Sequence, residues 1–231
     1  MIGIFDSGVG GLISALEVAR LLPTEDIIYL ADRENAPYGT KTKDELVRLV
    51  RADVKRLVGL GADKILIACC TASTVYSELS DSERKICLPI ILPAARAAAK
   101  TAGRISVIST VYTKSSHAFK KEIQRENADA EVFEFALQEL VGMVEGGCRD
   151  GSITGECERL LDRFANEIIP KNTEALILGC THFSHLESEI SKRLPGVKII
   201  SPAKEGARVM ASYYGNRKII ESDGRGRLIF A

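Results

Sequence analysis

Apolar residues along this chain fall into short unbroken runs, and between the runs they recur every three or four positions. The unbroken runs are Ile2 to Phe5, Ile27 to Leu30, Lys64 to Ala68, Pro89 to Leu92, Arg104 to Ile108, Glu131 to Phe135, Ala175 to Leu178 and Val197 to Ile200. Runs of this length without polar alternation predict strands buried on both faces. The intervening stretches, Leu12 to Leu22, Lys43 to Leu60, Ser115 to Glu126, Glu156 to Ile168 and Glu187 to Leu194, read as amphipathic helices, with Gly, Pro or Asn at the joins. Strands alternating with helices predict an α/β fold with parallel sheets covered by helices.

The eight strands form two sets of four that match one another. In the first set, strand one runs into Asp6 and Ser7, and strand three into Cys69, Cys70 and Thr71. In the second, strand one runs into Ser109 and Thr110, and strand three into Cys180, Thr181 and His182. ILIACCTA and LILGCTHF share one layout: apolar strand, small residue, cysteine, threonine. The expected fold is two flavodoxin-like parallel-sheet domains related by pseudo-twofold symmetry, with the active site in the cleft between them. In that strand order the first and third strands are neighbours and ligands bind at their carboxyl ends. Asp6 is then expected beside Cys69, and Ser109 and Thr110 beside Cys180. The boundary is placed near Pro93 to Gly103. The expected division is 1–95 with 207–231 for the domain holding Asp6 and Cys69, and 96–206 for the domain holding Cys180 and His182. The last helix, Ala203 to Tyr213, is expected to return to the first domain.

With 231 residues, 45% of them hydrophobic and 27% charged, the chain can bury substantial cores. Lysine and arginine total 31 and aspartate and glutamate also 31, so no basic surplus points to nucleic acid and a small-molecule partner is expected. MIGIFDSGVGG has no basic and apolar leader pattern, and no apolar run reaches the roughly 20 residues that span a bilayer. A cytoplasmic protein with no membrane contact is expected. Six cysteines are too few for a disulfide scaffold, so each is either packing or chemistry.

Asp6-Ser7-Gly8-Val9-Gly10-Gly11 joins a strand to a helix, and two readings stand side by side. Its amides can receive an anion such as a carboxylate, or the glycines serve only a tight turn. The spacing fits neither the P-loop nor the dinucleotide fingerprint. Cys69 and Cys180 both sit where a strand ends and a helix is expected, a setting that favours thiolate. A lone buried cysteine is usually just a small apolar residue, but two at matching strand ends fit a specific task. Inverting a carbon needs a base on one face and an acid on the other. His182 and Asp6 are placed to assist the two thiols, although either residue type also caps helices. Neither C-x-x-C nor H-x-x-x-H spacing is present, so no metal is expected. Pro37, Tyr38 and Gly39 follow the second strand at the cysteine end, and either close over a ligand or form an ordinary turn. Glu145 is read as a loop carboxylate in the corresponding position of the second half. His117, His185, Cys87, Cys148 and Cys157 are read as packing or surface residues.

Four segments, IGIFDSGVGG at the start, ADRENAPYG at 31–39, IACCTAS at 67–73 and LILGCTH at 176–182, resemble glutamate racemase. The resemblance implies an isomerase without pyridoxal phosphate, metal or other cofactor, interconverting L- and D-glutamate for peptidoglycan, commonly as a homodimer. By position, Cys69 and Cys180 match the catalytic acid/base thiols, Asp6 and His182 their assistants, and Glu145 a family loop glutamate near the second cysteine. Ser7, Pro37, Tyr38, Gly39, Thr71 and Thr181 match substrate-pocket positions, as do Thr110 and Thr113 through ISTVYTKS. Cys70 stands where the family usually carries Asn, exchanging an amide for a weak thiol. Phe183 stands for Tyr, LQELVGMVEGG lacks the usual prolines, and the C-terminal helices are expected to be shortened. Three alternatives accompany this reading: an aspartate or broad-specificity racemase, a non-catalytic amino-acid binder, and a redox role through a strained Cys69–Cys70 disulfide. The GCTH ending resembles glutamate-type rather than aspartate-type members.

Overall fold

The computed structural model describes residues 1–214 and 226–231. The chain divides into two compact units, one of Met1–Pro93 with Ala203–Ala231 and the other of Ala94–Pro202.

The first unit begins β1 (Ile2–Asp6), α1 (Leu12–Leu21), β2 (Ile27–Ala31), α2 (Lys43–Gly59), β3 (Lys64–Ile67), α3 (Cys70–Ser73), α4 (Asp81–Ile86) and β4 (Cys87–Pro89). Helix α5 (Ile91–Ala99) comes next. The second unit continues with β5 (Arg104–Ser109), α6 (Val111–Ser116), α7 (Ala118–Glu126), β6 (Glu131–Ala136), α8 (Gln138–Glu145), α9 (Gly155–Arg163), β7 (Ala175–Gly179), α10 (Glu187–Arg193) and β8 (Lys198–Ile200). Helix α11 (Pro202–Tyr214) and β9 (Leu228–Phe230) complete the first.

The sheets run β4-β3-β1-β2-β9 and β6-β5-β7-β8, with every pairing parallel. Leaving β9 aside, both read 2-1-3-4 when strands are counted within each unit, the flavodoxin-like order. Burial follows the order. Central strands β1 and β7 are buried along their whole length, while edge strand β6 is exposed or half-buried throughout. Two-sided burial is what unbroken apolar runs such as IGIFD and ALILG achieve when helices cover both faces. In the second unit, Ile108, Leu176 and Leu178 pack with Phe164, Phe183 and Leu186 in one cluster. Each such side chain contributes about 1.5–3 kcal/mol by leaving water.

Several elements depart from the sequence reading. The strand expected over Pro89 to Leu92 is instead Cys87–Pro89, and Ile91 begins an Ala-rich helix in which Pro93 occupies the first turn, where its missing N–H costs nothing. Ser115 to Glu126 is two helices rather than one, because His117 adopts a left-handed conformation with φ 53° between α6 and α7. The stretch Glu156 to Ile168 is helical to Arg163 and then widens into a π turn over Phe164–Ile168, closed by the Ile169 amide donating to the Phe164 carbonyl at 3.0 Å. Glu145 lies not in a loop but at the last position of α8, where Gly146 and Gly147 end the helix. No helix among the described residues is long and apolar enough to cross a membrane.

At Gly179, the end of β7, close approach to β5 leaves no room for a side chain. A Cβ there meets the Ile108 carbonyl oxygen at 2.7 Å and the Phe119 ring at 2.9 Å. Gly179→Ala is therefore expected to destabilise the protein by about 3 kcal/mol, read as a lower urea midpoint with an unchanged slope. An unchanged midpoint contradicts this packing argument.

Candidate active site

Cys69 lies two residues past Ile67, the end of β3, which pairs with Phe5 of β1, so the sulfur stands at the carboxyl end of the central strand pair. Its Sγ accepts from the Ala72 amide at 3.5 Å and lies 3.7 Å from the Ser7 hydroxyl. Helix α3 begins after this cysteine as expected and is a single turn. Thr74 Oγ1 donates to the Thr71 carbonyl at 2.7 Å and Ser73 Oγ to the Ile67 carbonyl at 3.1 Å, side-chain bonds that compete with helix propagation. The thiol is thus served by a local amide rather than by a long helix dipole. Cys70 and Thr71 are both buried in this turn. All six cysteines are thiols, so no disulfide joins Cys69 to Cys70.

Asp6 ends β1 fully buried, with Oδ2 accepting from the Gly11 amide at 2.6 Å. That amide, one of those available to an anion on the sequence reading, is held by the chain's own carboxylate. A Cβ at position 11 lies 2.5 Å from that of Asp6, so this closure requires glycine. Tyr29 from β2 donates to the Gly8 carbonyl at 2.6 Å and fixes the turn from outside. Burial pushes the Tyr29 phenol up, and the charges of Asp6 and Cys69 push it the same way.

Cys180 occupies the matching place in the second unit, one residue past β7, whose Gly179 pairs with Ser109 of β5. The chain enters a 3₁₀ turn, Thr181–Leu186, where an α-helix was expected. Cys180 Sγ lies 3.6 Å from His182 Nδ1, and His182 Nε2 stands 3.2 Å from Glu145 Oε1. Cys180 and His182 are buried, whereas the Glu145 side chain is 60% exposed. Sulfur, imidazole and carboxylate therefore form a line from the interior to solvent. Thr110 caps α6, its Oγ1 accepting from the Thr113 amide at 3.2 Å and donating to the Thr113 hydroxyl at 3.0 Å. Thr110, Thr113 and Thr181 are buried.

The turn after β2 separates its three candidate residues. Pro37, preceded by a cis peptide bond, is exposed and Gly39 half-buried, but the Tyr38 ring is buried. Tyr38 Oη lies 2.6 Å from Asp32 Oδ2 and 2.9 Å from Asp53 Oδ2. Its hydroxyl is held within the protein, so Tyr38 anchors the turn that carries Pro37 and Gly39.

Asp32 and Asp53 escaped the sequence reading, yet Asp53 leaves a signal there. Along α2, Leu46, Val50 and Leu57 define the buried stripe, and Asp53 falls on it at the same three- and four-residue spacing. A carboxyl in the apolar register of a helix needs a partner. Among the described residues, no three His, Cys, Asp or Glu side chains are grouped to hold a metal ion.

Residues 15–210 match the Asp/Glu/Hydantoin racemase family. The chain is 36% identical to the glutamate racemase of Gloeobacter violaceus over 92% of this chain and 80% of that relative. The crystal structure of glutamate racemase from Thermus thermophilus, in complex with β-chloro-D-alanine, is similar with a TM-score of 0.84 at 33% identity, covering 99% of this chain and 86% of that one. Glutamate racemase from Francisella tularensis, in complex with D-glutamate, gives a TM-score of 0.85 at 29% identity with the same coverage. A match across most of the chain, with two parallel sheets of one strand order and a cysteine past the third strand of each, leaves a single assignment: the chain belongs to the Asp/Glu/Hydantoin racemase family and is an isomerase of the glutamate racemase type.

Proposed function

We propose that the protein interconverts L- and D-glutamate without a cofactor, Cys69 and Cys180 serving opposite faces of the α-carbon. The observation that carries this reading is the equivalence of the two thiols. Each stands just past the third strand of a 2-1-3-4 sheet, Cys69 by two residues and Cys180 by one, and each has a polar group within reach of its sulfur. Glutamate as substrate is supported by the glutamate racemases to which the chain is similar, one of them in complex with D-glutamate.

One thiolate removes the α-proton while the opposite thiol delivers one, and the roles exchange for the reverse reaction. The α-proton is weakly acidic, so donors aimed at the substrate carboxylate must stabilise the charge that develops. Ser7, Thr71, Thr110, Thr113 and Thr181 supply hydroxyls and amides for that purpose, and Cys70 lines the same turn as Cys69. Asp6 assists on the Cys69 side. On the Cys180 side, His182 relays a proton between sulfur and the partly exposed Glu145. In this reading the enzyme acts in the cytoplasm as a homodimer and supplies D-glutamate for peptidoglycan, as its family resemblance implies.

Cys69→Ser and Cys180→Ser are each expected to lower racemisation at least about a thousandfold by polarimetry, with circular dichroism unchanged. Full activity in either variant contradicts the mechanism.

Glu145→Gln keeps the size of the side chain but cannot take a proton, and is expected to lower kcat about tenfold to a hundredfold with a smaller change in KM. An unchanged kcat removes Glu145 from the relay. Cys70→Asn is expected to keep measurable racemisation, since an amide there can form the bonds a weak thiol forms.

A further inference from the structure

The Tyr38 hydroxyl has one hydrogen and two carboxyl oxygens within bonding distance, Asp32 Oδ2 at 2.6 Å and Asp53 Oδ2 at 2.9 Å. One proton cannot fill both contacts. If both carboxyls were ionised, one would face the phenol oxygen lone pair to lone pair, an arrangement a buried site does not tolerate. A second proton must therefore reside on one of the two acids. We propose that Asp53 carries it: the neutral Asp53 acid donates to Tyr38, Tyr38 donates to Asp32, and this relay is a proton-dependent latch that positions the Pro37–Gly39 turn for substrate.

The surroundings favour Asp53 over Asp32 as the protonated member. Asp53 sits on the buried stripe of α2 between Val50 and Leu57 and is 7% exposed. Burial pushes its carboxyl up to about 7, the charge of Asp32 adds to the rise, and the bond to Tyr38 and the charge of Arg56 oppose it. The groups facing it are Asp32 and Tyr38, from the connection after β2, and Arg56, from α2 itself. Asp32 is by contrast the hub of its own turn: Oδ1 accepts from the Asn35 amide at 2.9 Å and Oδ2 from Tyr38. The same turn is closed by Thr40 Oγ1 donating to the Pro37 carbonyl at 3.1 Å and by the Lys41 amide donating to that of Tyr38, also at 3.1 Å. Asp53 fastens this self-bonded turn to α2. That helix is in turn fixed at its start by a capping box between Thr42 and Glu45.

The sign follows from the raised carboxyl. Below neutral pH, Asp53 is neutral and the latch is shut. As pH rises through about 7 the proton leaves, Asp53 and Asp32 repel, and the turn loosens. Asp53 is thus a positioning residue, acting through Tyr38 on substrate binding and not on proton transfer. The binding part of this inference rests on the racemase reading given above; the latch itself does not.

The test compares the full-length protein with Asp53→Asn, whose amide donates to Tyr38 at every pH, and with Tyr38→Phe, which keeps the ring and removes the relay. Hydrogen exchange over residues 32–42 and the steady-state constants for glutamate are measured across the neutral range. From about pH 6 to about pH 9 the wild type is expected to show about tenfold faster exchange in this segment, beyond the intrinsic pH effect, and about tenfold higher KM. Asp53→Asn is expected to hold both near their acid-side values while kcat keeps its wild-type pH profile. Tyr38→Phe is expected to exchange fast at both ends. Parallel wild-type and Asp53→Asn exchange profiles overturn the latch whatever the enzyme turns over. A flat KM with the expected exchange behaviour overturns its link to binding. Absence of glutamate turnover at every pH instead overturns the racemase reading and leaves exchange to decide the latch.

Discussion

Placing a sulfur atom at a fixed point requires backbone that cannot move, and both units meet this constraint by pressing together two parallel strands that are buried through to their carboxyl ends. β1 against β3 and β5 against β7 form the centres of the two sheets, and a cysteine stands within two residues of the end of the third strand in each. Close approach is enforced where each strand pair ends. Gly179 leaves no space over Ile108, and Gly11 folds down onto the buried Asp6 carboxylate. Asp6, Cys69, Thr110 and Cys180 all stand at or just past these four strand ends.

The two thiols share a topological position but not an environment. Cys69 is met by the Ser7 hydroxyl and a backbone amide, Cys180 by an imidazole whose other nitrogen faces a partly exposed carboxylate. A duplicated framework with different side chains at its strand ends suits a reaction symmetric in outcome but not in its two proton donors. A third polar group, the Asp32–Tyr38–Asp53 relay, lies one connection away and controls a turn. Its geometry turns a question of loop position into one of proton count.

The fold was legible wherever burial was two-sided. IGIFD, KILI and ALILG announce central parallel strands, and their matching ends announce the duplicated strand order. Legibility failed where local bonding overrode periodicity. CTAS stops after one turn because Ser73 and Thr74 bond to backbone, and Ser115 to Glu126 breaks at His117, a non-glycine residue at positive φ. β9 is short and its partner, β2, is distant in sequence. At the site, the cysteines, Asp6 and His182 stood out because strand ends carry them. Glu145 was named only through the family resemblance and otherwise read as a loop carboxylate, since its contact with His182 depends on where α8 ends. Asp53 was missed although its place on an apolar stripe is a signal, and its partners, reached through a turn, leave none.

The most direct measurement of the central claim is proton NMR of glutamate turned over in deuterium oxide, starting from one enantiomer and sampled early. Two thiols on opposite faces predict that the first product formed carries deuterium at its α-carbon while the remaining substrate keeps its proton. Deuterium appearing equally in substrate and product from the outset would mean that one group serves both faces, and would contradict the account.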